Sequence, residues 1–171
     1  NNAIAYAGGS EWGRKALFAL SWLKYKNEQF ADAHEGLRAY IDSGDKDHRP
    51  EALFALSHCL LEADQSEAAE TIFQQLRAEA PEHPFTMEAS LLWSEWMRRQ
   101  GRIHGAILIL TQIDPETLQD QQRMRLLLQQ GLVAFSQGDS IMAKALLKQA
   151  GEADDPEIQQ LAWNALGDLA T

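Results

Sequence analysis

The sequence predicts an all-α protein built from a row of helical hairpins, and three observations predict it. Helix-period apolar patterns follow one another along the chain with weak strand signals between them. Polar or glycine-containing breaks separate the patterns at regular distances. Most tellingly, small residues recur at a fixed period, as Ser21, Ser57, Ser94, Gly131 and Gly167, at intervals of 36, 37, 37 and 36 residues. A second small column, Ala33, Ala69, Ala106 and Ala143, is spaced 36, 37 and 37. Small side chains are needed where two helices approach closely, because a larger one holds the backbones apart and forfeits dispersion contacts. Large residues keep the same register: Leu37, Phe73, Leu110 and Leu147 form one column, and Tyr40, Leu76, Ile113 and Ala150 another, three residues on.

The elements follow in order. Residues 1–10, NNAIAYAGGS, carry a short apolar patch and then Gly8-Gly9, which suits the tail of an upstream helix and its stop. A helix from Glu11 is supported by Leu17, Leu20, Ser21 and Leu23, and gives way near Asn27 to a second with Phe30, Ala33, Leu37 and Tyr40. The Asp- and Gly-containing stretch from Asp42 to His48 ends that hairpin. Pro50 sits in the first turn of the next helix, where its missing N–H is an orphan in any case. The clearest hairpin follows, with Leu53, Leu56, Ser57 and Leu60, a polar break at Asp64 to Ser66, a returning helix with Ala69, Phe73 and Leu76, and a stop at Pro81.

The third hairpin runs through Leu91, Trp93, Ser94 and Met97, turns at Gln100-Gly101 and returns through Ile103, Ala106, Leu110 and Ile113. Asp114-Pro115 reads as an N-cap and a first-turn proline opening a longer helix with Leu127, Gly131 and Phe135. Gly138-Asp139 is the fourth turn, Ala143, Leu147 and Ala150 lie on the returning helix, and Gly151 closes it. Asp155-Pro156 starts a last helix with Trp163, Leu166 and Gly167. The expected repeats are 14–49, 50–86, 87–123 and 124–159, with a terminal helix over 157–170, in one domain spanning 1–171. Asn1 in place of an initiator methionine, and a helical pattern running to the end, suggest a piece of a longer protein.

Composition narrows the chemistry. The chain has 171 residues, 45% of them apolar, enough for one substantial core. No uninterrupted apolar run reaches the roughly 18 residues of a membrane span, so a soluble chain is expected. Fifteen Lys and Arg against 25 Asp and Glu leave a formal charge of −10, which repels a phosphate backbone and argues against nucleic acid as partner. The single cysteine, Cys59, excludes an internal disulfide and a multi-cysteine metal site, and reads as a buried thiol. The histidines 34, 48, 58, 83 and 104 show no i, i+4 His pair or convincing carboxylate set for a metal, and no cofactor is expected. Neither a G-x-S-x-G elbow nor a phosphate-cradling glycine loop is present, so no catalytic residues are assigned.

The pattern resembles the tetratricopeptide repeat family over about Arg14 to Ala170. Residues 163–167, WNALG, are similar to the family's opening W-x-x-L-G, and the spacings Gly101, Ile103, Ala106 and Gly138, Ser140, Ala143 resemble its turn before the returning helix. The resemblance implies a right-handed superhelical solenoid of antiparallel hairpins with the first helix of each lining a concave groove. There are departures: the period exceeds the family's usual length of about 34, Lys24 and Gln130 occupy slots usually apolar, and Ser66 stands where an aromatic is common. The joint Pro81-x-x-Pro84 followed by Glu88-Ala89 is similar to repeats of the outer-membrane assembly and cell-division coordination proteins of bacterial envelopes, implying a periplasmic setting, with a cytoplasmic one open.

The candidate binding residues follow from that groove. One step past the core leucines lie Phe18, Phe54, Leu91 and Leu128; then Trp22, His58, Glu95 and Leu132; then Tyr25, Leu61, Arg98 and Phe135. Nine of these twelve are apolar or aromatic, unexpected for a surface facing water. Such a strip marks a binding site for an amphipathic helix or extended peptide, or reflects tighter superhelix packing, or is filled by another helix of the same chain. Phe18 and Trp22 stand where carboxylate-clamping members of the family place polar groups, so a chaperone-tail clamp is not expected. Arg98, Arg99, Arg102, Arg123 and Arg125 make a local basic region that either complements helix C-termini or receives an acidic partner. The expected function is a non-catalytic protein-interaction scaffold. The alternatives are a helical accessory or assembly segment of a larger enzyme or envelope complex, and self-association through open solenoid ends.

Overall fold

The computed structural model describes residues 10–170, and the patch at residues 1–9 lies outside them. All regular elements among the described residues are helical. They are α1 (Glu11–Lys26), α2 (Phe30–Asp42), α3 (Arg49–Glu62), α4 (Ser66–Glu79), α5 (Pro84–Arg99), α6 (Ile103–Leu110), a 3-10 turn (Pro115–Thr117), α7 (Asp120–Gln137), α8 (Ser140–Ala150) and α9 (Pro156–Asp168). The chain divides into two compact units whose boundary falls inside α5, between Ala89 and Ser90.

In the first unit α1 packs on α2, α2 on α3 and α3 on α4, and α1 also reaches α3. The second unit repeats this order, with α6 on α7, α7 on α8, α8 on α9, and α7 also against α9. The periodic columns are what these contacts bury. Ala33, Ala69, Ala106 and Ala143 are each 0% exposed, and Leu37, Phe73, Leu110 and Leu147 are all buried. Helices close together at the small residues as expected: a Cβ added to Gly36 would lie 2.0 Å from the Ser21 Oγ, and one added to Gly131 would lie 2.8 Å from the Leu147 Cγ. In the second unit the core gathers Leu128, Leu147, Ile158 and a set of alanines from α7, α8, the following turn and α9.

One recurring feature was not legible in the residue types. Glu28, Asp64, Gly101 and Gly138 all adopt positive φ, at 59°, 57°, 71° and 86°, each at the turn inside a hairpin. The hydrogen bonding is the same in all four: the N–H of the left-handed residue donates three residues back and the next N–H five residues back, as in Gln29 to Lys24 at 2.9 Å and Asp139 to Ala134 at 3.0 Å. This is the Schellman stop, which favours glycine because a Cβ is strained in the left-handed region. Glu28→Gly and Asp64→Gly are therefore each expected to raise stability by about 0.5–1 kcal/mol. Chemical denaturation is the check, and a loss of stability in both variants would contradict the assignment of strain to these turns.

Two expectations are corrected. Asp114-Pro115 does not open the long helix: the Asp114 carboxylate accepts the Glu116 N–H at 3.0 Å, capping only the 3-10 turn. The helix starts at Asp120 behind a capping box, with the Gln119 N–H donating to the Gln122 Oε1 at 3.1 Å. Leu20 and Leu23 do lie on the helix they supported, α1, on a face that is 55% and 57% exposed at those residues. Gly167, last of the small column, meets nothing within 4 Å because no returning helix stands opposite it among the described residues.

Candidate binding surface

The twelve sequence-derived positions divide evenly between the units, and each half has its own chemistry. In the first unit Phe18, Trp22 and Tyr25 project from α1 and Phe54, His58 and Leu61 from α3. Phe18 and Leu61 are buried, and the other four are half-buried, so these six are in part covered by the chain itself. The reason is mutual packing. Trp22 lies 5.7 Å from Phe18 and 5.4 Å from Tyr25, and Tyr25 meets the edge of Phe54 at 6.0 Å and of His58 at 5.7 Å. Edge-to-face and offset contacts at these separations add to the area term of burial.

Three rings outside the predicted set complete the cluster. Phe85, near the start of α5, meets Trp22 edge-on at 5.5 Å and Phe54 at 5.1 Å. His48 stacks flat on Phe18 at 4.4 Å with an interplanar angle of 7°. The sequence did contain a signal for them: Trp12, His48 and Phe85 fall 36 and 37 residues apart, a further column at the head of each first helix. Phe30 of α2 closes the other side, 5.2 Å from His58.

A polar line crosses this aromatic surface. The Tyr25 hydroxyl and the His58 Nδ1 are 3.0 Å apart, and the His58 Nε2 stands 3.6 Å from Glu62. Burial lowers the His58 pKa, and the Glu62 carboxylate only partly opposes it; burial pushes the Tyr25 phenol up. Both groups are therefore neutral near pH 7, with Tyr25 donating to a His58 that carries its proton on Nε2. His58 and Cys59 do not act as a pair: burial pushes the Cys59 thiol up to about 12, which removes its nucleophilic form.

The second unit places Leu91, Glu95 and Arg98 on α5 and Leu128, Leu132 and Phe135 on α7. Leu91 and Leu128 are buried, and Leu132 and Phe135 pack partly against the core, so here too the chain covers part of the strip. Glu95 is the polar centre. It accepts both Arg98 Nε and NH2 at 2.8 Å, Arg99 Nε at 2.7 Å and Gln129 Nε2 at 3.1 Å. Burial would raise its pKa, but these hydrogen bonds overturn that and hold the carboxyl at about 2.

The arginines around it are accordingly engaged within the chain. Arg98 also reaches Ser136 at 3.2 Å, Arg102 lies 5.8 Å from the Trp96 ring, and Arg123 donates to the Pro115 and Leu118 carbonyls. Among the described residues no group of three His, Cys, Asp or Glu is placed to hold a metal ion, and no helix is long and apolar enough to cross a membrane. No family model, curated protein or solved structure matches this chain. The surface that stands out is the half-open aromatic face of the first unit, formed by Trp22, Tyr25, Phe54 and Phe85.

Proposed function

We propose that this chain is a tetratricopeptide-like interaction scaffold, a right-handed solenoid that binds an amphipathic helix or extended peptide and carries no catalytic role. The observation that supports this reading is the continuity of half-buried rings from Trp22 through Phe85 to Phe54 and Tyr25 in the first unit. Rings already fixed by their neighbours lose little conformational freedom when a partner covers them, so most of the hydrophobic gain is retained as affinity. Each large side chain fully covered is worth roughly 1.5–3 kcal/mol. Within the repeat reading, Leu91, Leu128, Leu132 and Phe135 supply the corresponding apolar positions of the second unit, while Glu95 and Arg98 supply polar contacts. The resemblance to envelope repeat proteins favours a periplasmic setting for this activity.

The test is a Trp22→Ala, Phe54→Ala double variant of the full-length protein, with crosslinking and mass spectrometry in its native cell extract to identify what it holds. The variant is expected to keep its helix content and to bind that partner at least about a hundredfold more weakly, from two truncated anchors at roughly 1.5 kcal/mol each. Undiminished binding by a folded double variant would remove this face from the mechanism.

A further inference from the structure

The aromatic face of the first unit carries a charge pattern beside its rings. Four of those rings close a circuit: Trp22 to Tyr25 at 5.4 Å, Tyr25 to Phe54 at 6.0 Å, Phe54 to Phe85 at 5.1 Å, and Phe85 back to Trp22 at 5.5 Å. All four stay half-open. Carboxylates stand one helical turn away. Glu51 comes three residues before Phe54, Glu88 three after Phe85, and Glu62 four after His58, spacings that share a helix face. Glu51 and Glu88 also hold the same position in the repeat, 37 residues apart on consecutive first helices.

The chain answers these charges weakly. Glu51 Oε1 stands 3.5 Å from the His48 Nδ1, and its Oε2 is buried without a hydrogen-bond partner. Glu62 faces the His58 Nε2 at 3.6 Å, and burial favours the neutral form of that imidazole. Burial raises the Tyr25 pKa most, and the Cys59 and Glu88 charges add to it through space, so Glu88 acts within reach of the ring circuit. The cations of α1 are directed elsewhere: Arg14 holds Asp45 at 2.9 Å, Lys15 holds Glu11 at 2.6 Å, and Lys26 lies past Tyr25 at the helix end. A ring face is itself negative, so a carboxylate beside it strengthens the attraction for a cation and the repulsion of an anion. We propose that the partner on this face is a basic amphipathic helix, its apolar stripe over Trp22, Phe54 and Phe85 and its Lys or Arg side chains ending on the ring circuit beside Glu51 and Glu88. Long basic side chains suit both surfaces, because their stems cover ring carbon while their heads reach a carboxylate. The net charge of −10 steers such a segment in and holds an acidic one off. This inference rests on the reading of the aromatic face as a docking surface and adds the charge of what docks there.

The probes are three synthetic amphipathic helical peptides with the same leucine face and with polar positions that are all Lys, all Gln or all Glu, titrated calorimetrically into the native chain. The Lys peptide is expected to bind at least about tenfold more tightly than the Gln peptide, and the Glu peptide most weakly. Glu51→Gln with Glu88→Gln is expected to bring the Lys peptide to within a few-fold of the Gln peptide, whose own affinity stays unchanged. Glu67→Gln with Glu70→Gln removes the same charge from exposed positions of α4, and is expected to leave the Lys peptide within about twofold of its native affinity. Circular dichroism checks that both double variants stay helical. A Gln or Glu peptide bound as tightly as the Lys peptide overturns the proposal; loss of that binding in Trp22→Ala, Phe54→Ala would still leave the face an interaction surface. A Lys peptide indifferent to Glu51→Gln with Glu88→Gln overturns it, as do equal losses from the two glutamate pairs, which would reduce the effect to overall charge. Binding of none of the three overturns it as well, while the partner captured through Trp22 and Phe54 in the extract decides the scaffold reading separately.

Discussion

Gly131→Ala is expected to lower the unfolding free energy by about 2 kcal/mol, while Gly167→Ala, at the same column position, is expected to raise it by up to about 1 kcal/mol. Both glycines are helical, Gly131 inside α7 and Gly167 in the last turn of α9, and in a helix alanine is intrinsically favoured because it restricts the unfolded chain more. What differs is the opposite wall. A Cβ on Gly131 would stand 2.8 Å from both Cγ and Cδ2 of Leu147 and 3.3 Å from its backbone nitrogen, so α8 must move or Leu147 must leave its rotamer. A Cβ on Gly167 meets nothing within 4 Å. Opposite shifts in urea midpoint at unchanged slope are the expected signature. Two shifts of the same sign would show that propensity, and not helix approach, governs this column.

Acid should weaken the second unit through Glu95. Its carboxyl is held at about 2 in the folded chain against an ordinary value of 4.5, so the unfolded chain binds the proton more readily between those limits. The stabilisation is therefore complete above about pH 4.5 and is lost as pH falls through about 2. With Glu95 and Arg98 side chains 23% and 25% exposed, solvent screening is incomplete and the contribution is on the order of 2 kcal/mol. Glu95→Gln, which cannot titrate, should unfold with a flatter dependence on pH across that interval. An identical acid limb in the native and Gln chains would mean that other carboxylates carry it. Near neutral pH the variant should also be weaker, because Arg98 and Arg99 lose their shared acceptor.

The chain's periodicity was readable because it is enforced by volume. Ala33, Ala69, Ala106 and Ala143 are small for one reason, the closeness of the facing helix, and that reason leaves a mark in residue type. The stops at Glu28 and Asp64 left none, because an acidic residue in left-handed backbone carries no distinguishing letter and only the spacing to Gly101 and Gly138 betrays it. The start of α7 was misplaced because Asp114-Pro115 is an equally good opening for a 3-10 turn, and the competing Gln119 capping box is a weaker signal in sequence.

At the binding surface, the columns located Trp22, Tyr25, Phe54 and His58 correctly on α1 and α3, but not their packing. Periodicity assigns a residue to a helix face; whether that face meets water depends on ring size and on what the next helix presents. Phe85 and His48 lie over their neighbours because rings bridge the distance between consecutive first helices. The reverse holds for Leu20 and Leu23, whose residue types describe a buried face while their position at the first described hairpin leaves it open.

Cys59 gives the fold its own clock. It is the only cysteine in the chain, it lies 2% exposed on α3, and its thiol is held at about 12, so near neutral pH a thiol reagent finds almost no thiolate on the folded molecule. Modification must wait for α3 to part from its neighbours, and its rate then counts those openings one molecule at a time. No label has to be introduced, and the reading comes from the helix that carries Phe54 and His58.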